Sequence, residues 1–160
     1  MLVFQHFILP ISFRLLGSPT VVQPDLTLLG EKHVAKYRET DGAVGYVWNG
    51  ATCLLLTTTG RASGEPRTVP LIFAADGERS IVVASKGGAP EHPKWYRNLA
   101  AHPAVQVQIR GDRFPATART VAGVERERCW AIATAQWPNY DEYVKRTSRV
   151  IPVVVLERSR

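Results

Sequence analysis

The chain has 160 residues, 45% of them hydrophobic and 21% charged, and 20 Lys and Arg against 14 Asp and Glu give a net charge of +6. That size and balance fit one globular domain with its own core and exclude a disordered polar chain. The basic excess points to an anionic partner (nucleic acid, membrane or a phosphorylated small molecule), while two isolated cysteines, Cys53 and Cys129, exclude a disulfide framework or zinc site and suit a reducing cytoplasm.

Residues 1–16 are apolar around Gln5, Ser12 and Arg14 and are interrupted by Pro10. The run is too short to span a bilayer and lacks a basic leader and a cleavage site. It reads as an amphipathic segment docked on the domain, with a peripheral membrane contact as the alternative. Pro19 and Pro24 mark a linker over 18–25, so 1–29 is expected as N-terminal segment and linker, and 30–160 as the domain. A helix is predicted over 31–40, stopped by Asp41-Gly42. Residues 43–50 alternate loosely and end in the turn dipeptide Asn49-Gly50. Strands follow over 52–58, 67–74 and 80–85, with Asp76-Gly77 turning the chain between the last two. Residues 86–90 read as a flexible loop and 92–99 as a short helix with proline in its first turn. Residues 104–110 alternate Val105, Val107 and Ile109 with polar residues, as a half-buried antiparallel strand does. Another strand over 113–121, a helix over 124–135, the segment 136–144 with Pro138 and two tyrosines, and a last strand over 151–156 complete the chain. No βαβ alternation runs through this order. An antiparallel meander of about six short strands closing toward a barrel is expected, mainly β with flanking helices.

The stretch from Thr57 to Arg67 (TTTGRASGEPR) places two glycines and two arginines, Arg61 and Arg67, between two strands. Exposed backbone N–H groups and guanidinium forks suit a phosphate, although for the loop taken alone a solvated hairpin turn is the favoured reading. The four histidines, His6, His33, His92 and His102, have no metal-ligand spacing. No G-x-S-x-G, P-loop or dinucleotide fingerprint occurs. The basic residues form no run and sit in no nucleic-acid motif. Arg61, Arg67, Lys86, Lys94 and Arg97 are instead spread over loops that one end of a barrel would gather. With Trp95 and Tyr96 beside them, the combination is a phosphate pocket next to an aromatic wall, which describes a flavin-like cofactor.

The segments Leu54 to Phe73 (LLLTTTGRASGEPRTVPLIF), Val82 to Asn98 (VVASKGGAPEHPKWYRN) and Trp137 to Tyr143 (WPNYDEY) resemble the deazaflavin-dependent nitroreductase and quinone reductase family, in order over residues 30 to 157. The resemblance implies a split β-barrel related to flavin mononucleotide-binding oxidoreductases. It also implies coenzyme F420, whose reduced form passes a hydride to a quinone, a nitro compound or another electron-poor acceptor. Carried over, Arg61, Ser63 and Arg67, with Ala62 between them, would hold the phosphate and anionic tail. Thr68, Val69, Pro70, Leu71 and Ile72 would run along the ring system. Val83, Ala84, Ser85 and Lys86 would contact the deazaflavin, and Lys94, Trp95, Tyr96, Arg97 and Asn98 would close over it. Ser85 would hydrogen-bond the acceptor or the cofactor edge, and Tyr140 or Tyr143 would position a proton on the acceptor side. Three departures stand out. Ala62 replaces a lysine found in many relatives, and Ile72 and Trp137 stand where some relatives have tyrosine, so the cofactor site is kept and the acceptor pocket differs. A flavin mononucleotide enzyme on the same barrel and a non-catalytic deazaflavin-binding protein are the competing expectations. Oligomerisation is left open and no nucleic-acid partner is expected.

Overall fold

Strand β2 (Ala51–Thr59) explains the densest apolar run of the chain, because both of its faces are buried. Leu54 and Leu56 point into the barrel with Val82, Val107, Val154 and Leu156. Cys53 and Leu55 point the other way and pack with Val34 and Tyr37 of helix α1 (Gly30–Glu39). The last strand, β8 (Val153–Arg158), is built alike: Val154 and Leu156 face inward, while Val153 and Val155 lie with Cys129 and Ala133 of helix α3 (Gly123–Gln136). A strand covered on both sides reads as a continuous apolar run, not as alternation. A computed structural model describes residues 21–160; the apolar segment 1–16 and its expected docking lie outside the described residues.

The remaining strands are β1 (Val47–Trp48), β3 (Pro66–Ile72), β4 (Ala74–Asp76), β5 (Arg79–Val83), β6 (Ala104–Ile109) and β7 (Asp112–Thr120). Helix α2 (Lys94–Ala101) lies between β5 and β6, and α4 (Asn139–Val144) follows α3. Every pairing is antiparallel, in the order β1-β2-β6-β7-β8-β5-β4, with β3 on the other edge of β2. The strand expected over 67–74 is in fact two. Phe73 interrupts it: the ring enters the core and the N–H donates to the Thr52 carbonyl at 3.0 Å. Before this break the chain pairs with β2, Cys53 opposite Ile72; after it, with β5, Ala74 opposite Ile81. One bent segment thus joins the two ends of the sheet and leaves β3 and β5 separated by a gap. This is the expected split barrel.

Three other expectations need correction. Residues 43–50 form only the two-residue β1, because the chain turns tightly through 42–46, with the Tyr46 N–H on the Gly42 carbonyl. Residues 86–90 are not a loose loop: Lys86–Gly88 is a 3-10 turn, held by contacts described below. The linker is docked from Val22 onward. Asn139 brackets the Val22 backbone at 2.7 and 2.8 Å, Asn49 does the same for Asp25, and the Trp48 indole donates to the Leu28 carbonyl. Short-range composition marked the prolines but could not show these side-chain partners far away in the chain.

Asp76 at the end of β4 fastens α3 to the sheet. Its carboxylate accepts from Arg128 at 2.6 and 2.9 Å and from Arg79 at 2.7 Å, and these guanidinium bonds hold its pKa down at about 2. A carboxylate held below its ordinary value stabilises the fold above that value and stops doing so as the pH falls through the depressed one. Asp76→Asn should therefore melt at a lower temperature than the parent at pH 7. The gap should close as the pH falls from about 4 to about 2, in thermal melts followed by circular dichroism.

Candidate functional site

Two neighbouring depressions lie along β3. The first, of about 820 Å³, is an open trough between the β2–β3 loop, α1 and α2. The second, of about 450 Å³, is a largely apolar slot between the end of β3, the end of β5 and α4. β3 borders both: Pro66 to Val69 lie on the trough and Pro70 to Ile72 on the slot. Successive residues of a strand reach the same depression only along an edge, since faces alternate. β3 has such an edge, because among the described residues it pairs with β2 alone. Trp95, nine-tenths buried, lines both depressions.

The trough is strongly cationic. Arg38, Arg61, Arg67, Lys94 and Arg97 line it, with Glu31 as the sole acid. Lys94, Arg97 and Asn98 share one helical side, being three and four residues apart. The loop itself is preformed. The Gly60 N–H donates to the Glu65 carbonyl at 2.8 Å, and the Glu65 N–H to the Ser63 hydroxyl at 3.2 Å. A Cβ on Gly60 would lie 2.5 Å from that hydroxyl, so glycine lets the loop fold back on itself. The buried Asn98 anchors the loop to the barrel, accepting from the Arg61 N–H at 3.2 Å and donating to the Thr58 hydroxyl at 3.1 Å. Asn98→Ala leaves both groups short of a partner, at about 1–3 kcal/mol each when buried. It should lower the melting temperature and loosen anion binding by the trough, read by melts and a salt-dependent titration.

Arg38 was not legible as a site residue. It sits on α1 and donates to the Thr68 hydroxyl at 2.8 Å, itself 2.7 Å from Thr57. Its charge stands across the trough from Ala62, which lines the wall without one.

The slot places Ile72, Trp48, Trp137, Tyr140 and Tyr143 around Ser85 and Lys86. Trp48 and Trp137 pack in a tilted arrangement with ring centres 5.7 Å apart, and the Trp137 indole points at the Tyr143 hydroxyl at 3.4 Å. Burial raises the Tyr140 phenol pKa well above its usual value and pushes the Cys53 thiol up to about 12, so both stay protonated. Val83 lines the slot as well.

Two expected residues stand away from both depressions. Ala84 is wholly buried in the barrel core. Tyr96 turns outward, its ring against His92 at 5.1 Å and its hydroxyl 3.1 Å from Thr120. Its ring meets Trp95 edge to face at 6.3 Å, but of the two only Trp95 lines the trough and the slot. Among the described residues no cluster of metal-ligating side chains occurs, and no helix is long and apolar enough to cross a membrane.

A cation-lined trough adjoining a tryptophan-walled slot suits a flat ring carrying a long anionic tail, and on a split barrel this is the layout of a flavin-type oxidoreductase. The comparison with known sequences narrows that class. The chain belongs to the F420H(2)-dependent quinone reductase family, whose profile matches residues 30–158. It is 45% identical over 130 residues to the F420H(2)-dependent quinone reductase Rv1261c of Mycobacterium tuberculosis, covering 79% of this chain and 87% of that protein. Among solved structures, the F420-H2 dependent reductase FDR-A is 45% identical, with a TM-score of 0.62 over 66% of this chain and 93% of its own. A structure described as a domain-swapped dimer is 40% identical, with a TM-score of 0.64 over 78% of this chain and 96% of its own. A heme-binding protein from Mycobacterium smegmatis, 16% identical over 69% of this chain and 47% of its own with a TM-score of 0.54, shares the fold alone. The expected oxidoreductase class, its split barrel and its F420 coenzyme agree with these findings.

Proposed function

We propose that the chain reduces a quinone at the slot while the trough holds the anionic tail of F420. The observation that carries this reading is that successive residues of the free edge of β3 line first the trough and then the slot, with Trp95 shared by both. When bound, reduced F420 supplies the hydride. Everything else falls to this chain's residues. Arg61, Arg67, Lys94, Arg97 and Arg38 supply charge-assisted bonds to phosphate and carboxylates. Pro70, Leu71, Ile72 and Val83 give a flat apolar bed for the ring system, closed at one side by Trp95. Ser85 and Lys86 offer the polar groups at its edge. Trp48, Trp137, Tyr140 and Tyr143 seat a planar acceptor and keep water from it. Ala62 and Ser63 shape the loop, and Asn98 positions it; Ala84 and Tyr96 support the walls without lining them. The coenzyme-binding unit is residues 30–160, with 22–28 strapped onto it.

Of the two phenols, Tyr143 is the one assigned to position the acceptor's proton. It is partly exposed at the slot and already hydrogen-bonded to Trp137, whereas Tyr140 lies within the packing below. Tyr143→Phe should lower kcat about tenfold to a hundredfold, toward the lower end for a positioned acid because solvent substitutes in part. Tyr140→Phe should change kcat less than about threefold. Both are measured at saturating coenzyme with the acceptor varied.

The function is tested by following loss of reduced F420 by absorbance with a panel of quinones and nitro compounds. Acceptor-dependent oxidation, fastest with quinones, is the expected result. Binding without turnover would make this a coenzyme-sequestering protein, and turnover with reduced flavin mononucleotide instead would reassign the ring slot.

A further inference from the structure

We propose that Arg149 is the positioning residue of the slot: its guanidinium fixes the Ser85–Ala89 turn so that Ser85 and Lys86 face the ring and the acceptor. The inference rests on the coenzyme and acceptor site proposed above.

Arg149 lies on the segment between α4 and β8, some sixty residues from the turn it holds. Its Nη2 donates to the Ser85 carbonyl at 2.8 Å and its Nη1 to the Ala84 carbonyl at 3.1 Å. Its Nε donates to the Ala89 carbonyl at 2.8 Å. Nη1 also lies 2.9 Å from His92 Nδ1, and since a guanidinium has no acceptor, the imidazole accepts and carries its proton on Nε2. One planar fork thus gathers carbonyls from both ends of the turn and the ring of His92, two residues before α2. No carboxylate shares it among the described residues, and burial alone disfavours its charge. An arginine placed for solubility would not be held on two backbone carbonyls of one turn and a third from the residue before it.

The turn needs such holding. Lys86, Gly87 and Gly88 have φ of 46°, 63° and 83°, three consecutive residues in the left-handed region. Lysine adopts that region at a cost and stays there only when its surroundings over-determine it. The opposite side of the turn is fixed by the α4 end. A Cβ on Gly88 would come 2.6 Å from the Tyr143 carbonyl oxygen and 2.8 Å from the Arg146 Cβ. The turn is therefore gripped between Arg149 and the segment carrying Tyr143, and it links the wall against the ring to the wall against the acceptor. None of its residues reaches the trough. Losing the grip should disturb the chemistry at the ring edge far more than tail binding.

The test uses the full chain as Arg149→Ala, Arg149→Lys and Ser85→Ala, and the Arg149→Ala/Ser85→Ala double variant. Hydrogen exchange of amides 86–89 without coenzyme, F420 affinity by fluorescence, and kcat and KM with a 1,4-naphthoquinone are the readouts. Arg149→Ala should speed exchange at 86–89 and lower kcat at least tenfold, with F420 affinity within threefold of the parent. Arg149→Lys, which keeps the charge and the fold but loses the fork, should recover only part of kcat. In the Ser85→Ala background the loss from Arg149→Ala should shrink to threefold or less, since interacting residues are non-additive. Unchanged exchange and kcat in either Arg149 variant, or losses that simply multiply in the double variant, would overturn the proposal while leaving the site reading intact. Absence of F420 binding by the parent chain would overturn both.

Discussion

Replacing Arg61 and Arg67 together with alanine is expected to weaken F420 binding on the order of a hundredfold, while turnover at saturating coenzyme stays within about threefold of the parent. The two guanidinium groups border the same trough from opposite ends of one loop. A hydrogen bond to a charged group contributes about 1.5–3 kcal/mol, and the open trough places both arginines at the lower end of that range. Two such losses come to about 3 kcal/mol, or roughly a hundredfold. Lys94, Arg97 and Arg38 remain and prevent a complete loss. Because neither arginine approaches the slot, the effect falls on ground state and transition state alike, which leaves kcat in place. The remaining affinity should also depend less steeply on salt, since fewer charges are screened. Ala62→Lys provides the opposite test: a cation restored to the wall should tighten binding several-fold.

The second large effect is expected at Trp137. Trp137→Ala should lower stability by about 3–5 kcal/mol, the usual range for removing a buried tryptophan, and raise the quinone KM at least tenfold. Trp137 is 3% exposed and packs at a tilt against Trp48, the residue that also holds the Leu28 carbonyl of the docked strap. Its removal opens the slot, frees the Tyr143 hydroxyl and loosens the strap together. Trp137→Tyr, which keeps an aromatic ring in the slot, should keep most of the stability and move the acceptor preference. Thermal melts and acceptor kinetics separate these two outcomes. Affinity for F420 serves as the control, because the trough does not contain Trp137.

The sequence was most informative where a residue's role depends on its neighbours in the chain. The apolar runs at 53–56 and 153–156, the two-arginine loop and the clean alternation at Val105 and Val107 all appear as strands or turns for reasons local to them. It misled where the decisive partner is distant. Gln108 reads as solvent-facing by alternation, yet it is buried where β6 pairs with β2, opposite Leu55. Phe73 lies inside an unbroken apolar stretch, and nothing local says that the strand changes partners there. Trp95 and Tyr96 are adjacent letters, yet only Trp95 lines the trough and the slot. Arg38 and Arg149 lie outside every recognisable motif, and only the packing of α1 on β3 and of the 149 segment on the 85–89 turn brings them to the site. Periodicity reports which face a residue takes, and not what stands opposite it.

The most direct test of the proposed site is amide hydrogen exchange of the full chain with and without oxidised F420. Protection should rise at 60–69 on the trough, at 83–88 along the slot and at 94–98 on α2. Strands β7 and β8, which line neither the trough nor the slot, should remain unchanged. Protection confined to β7, β8 or α3, with the two-arginine loop exchanging as fast as before, would contradict the placement of the coenzyme along the free edge of β3.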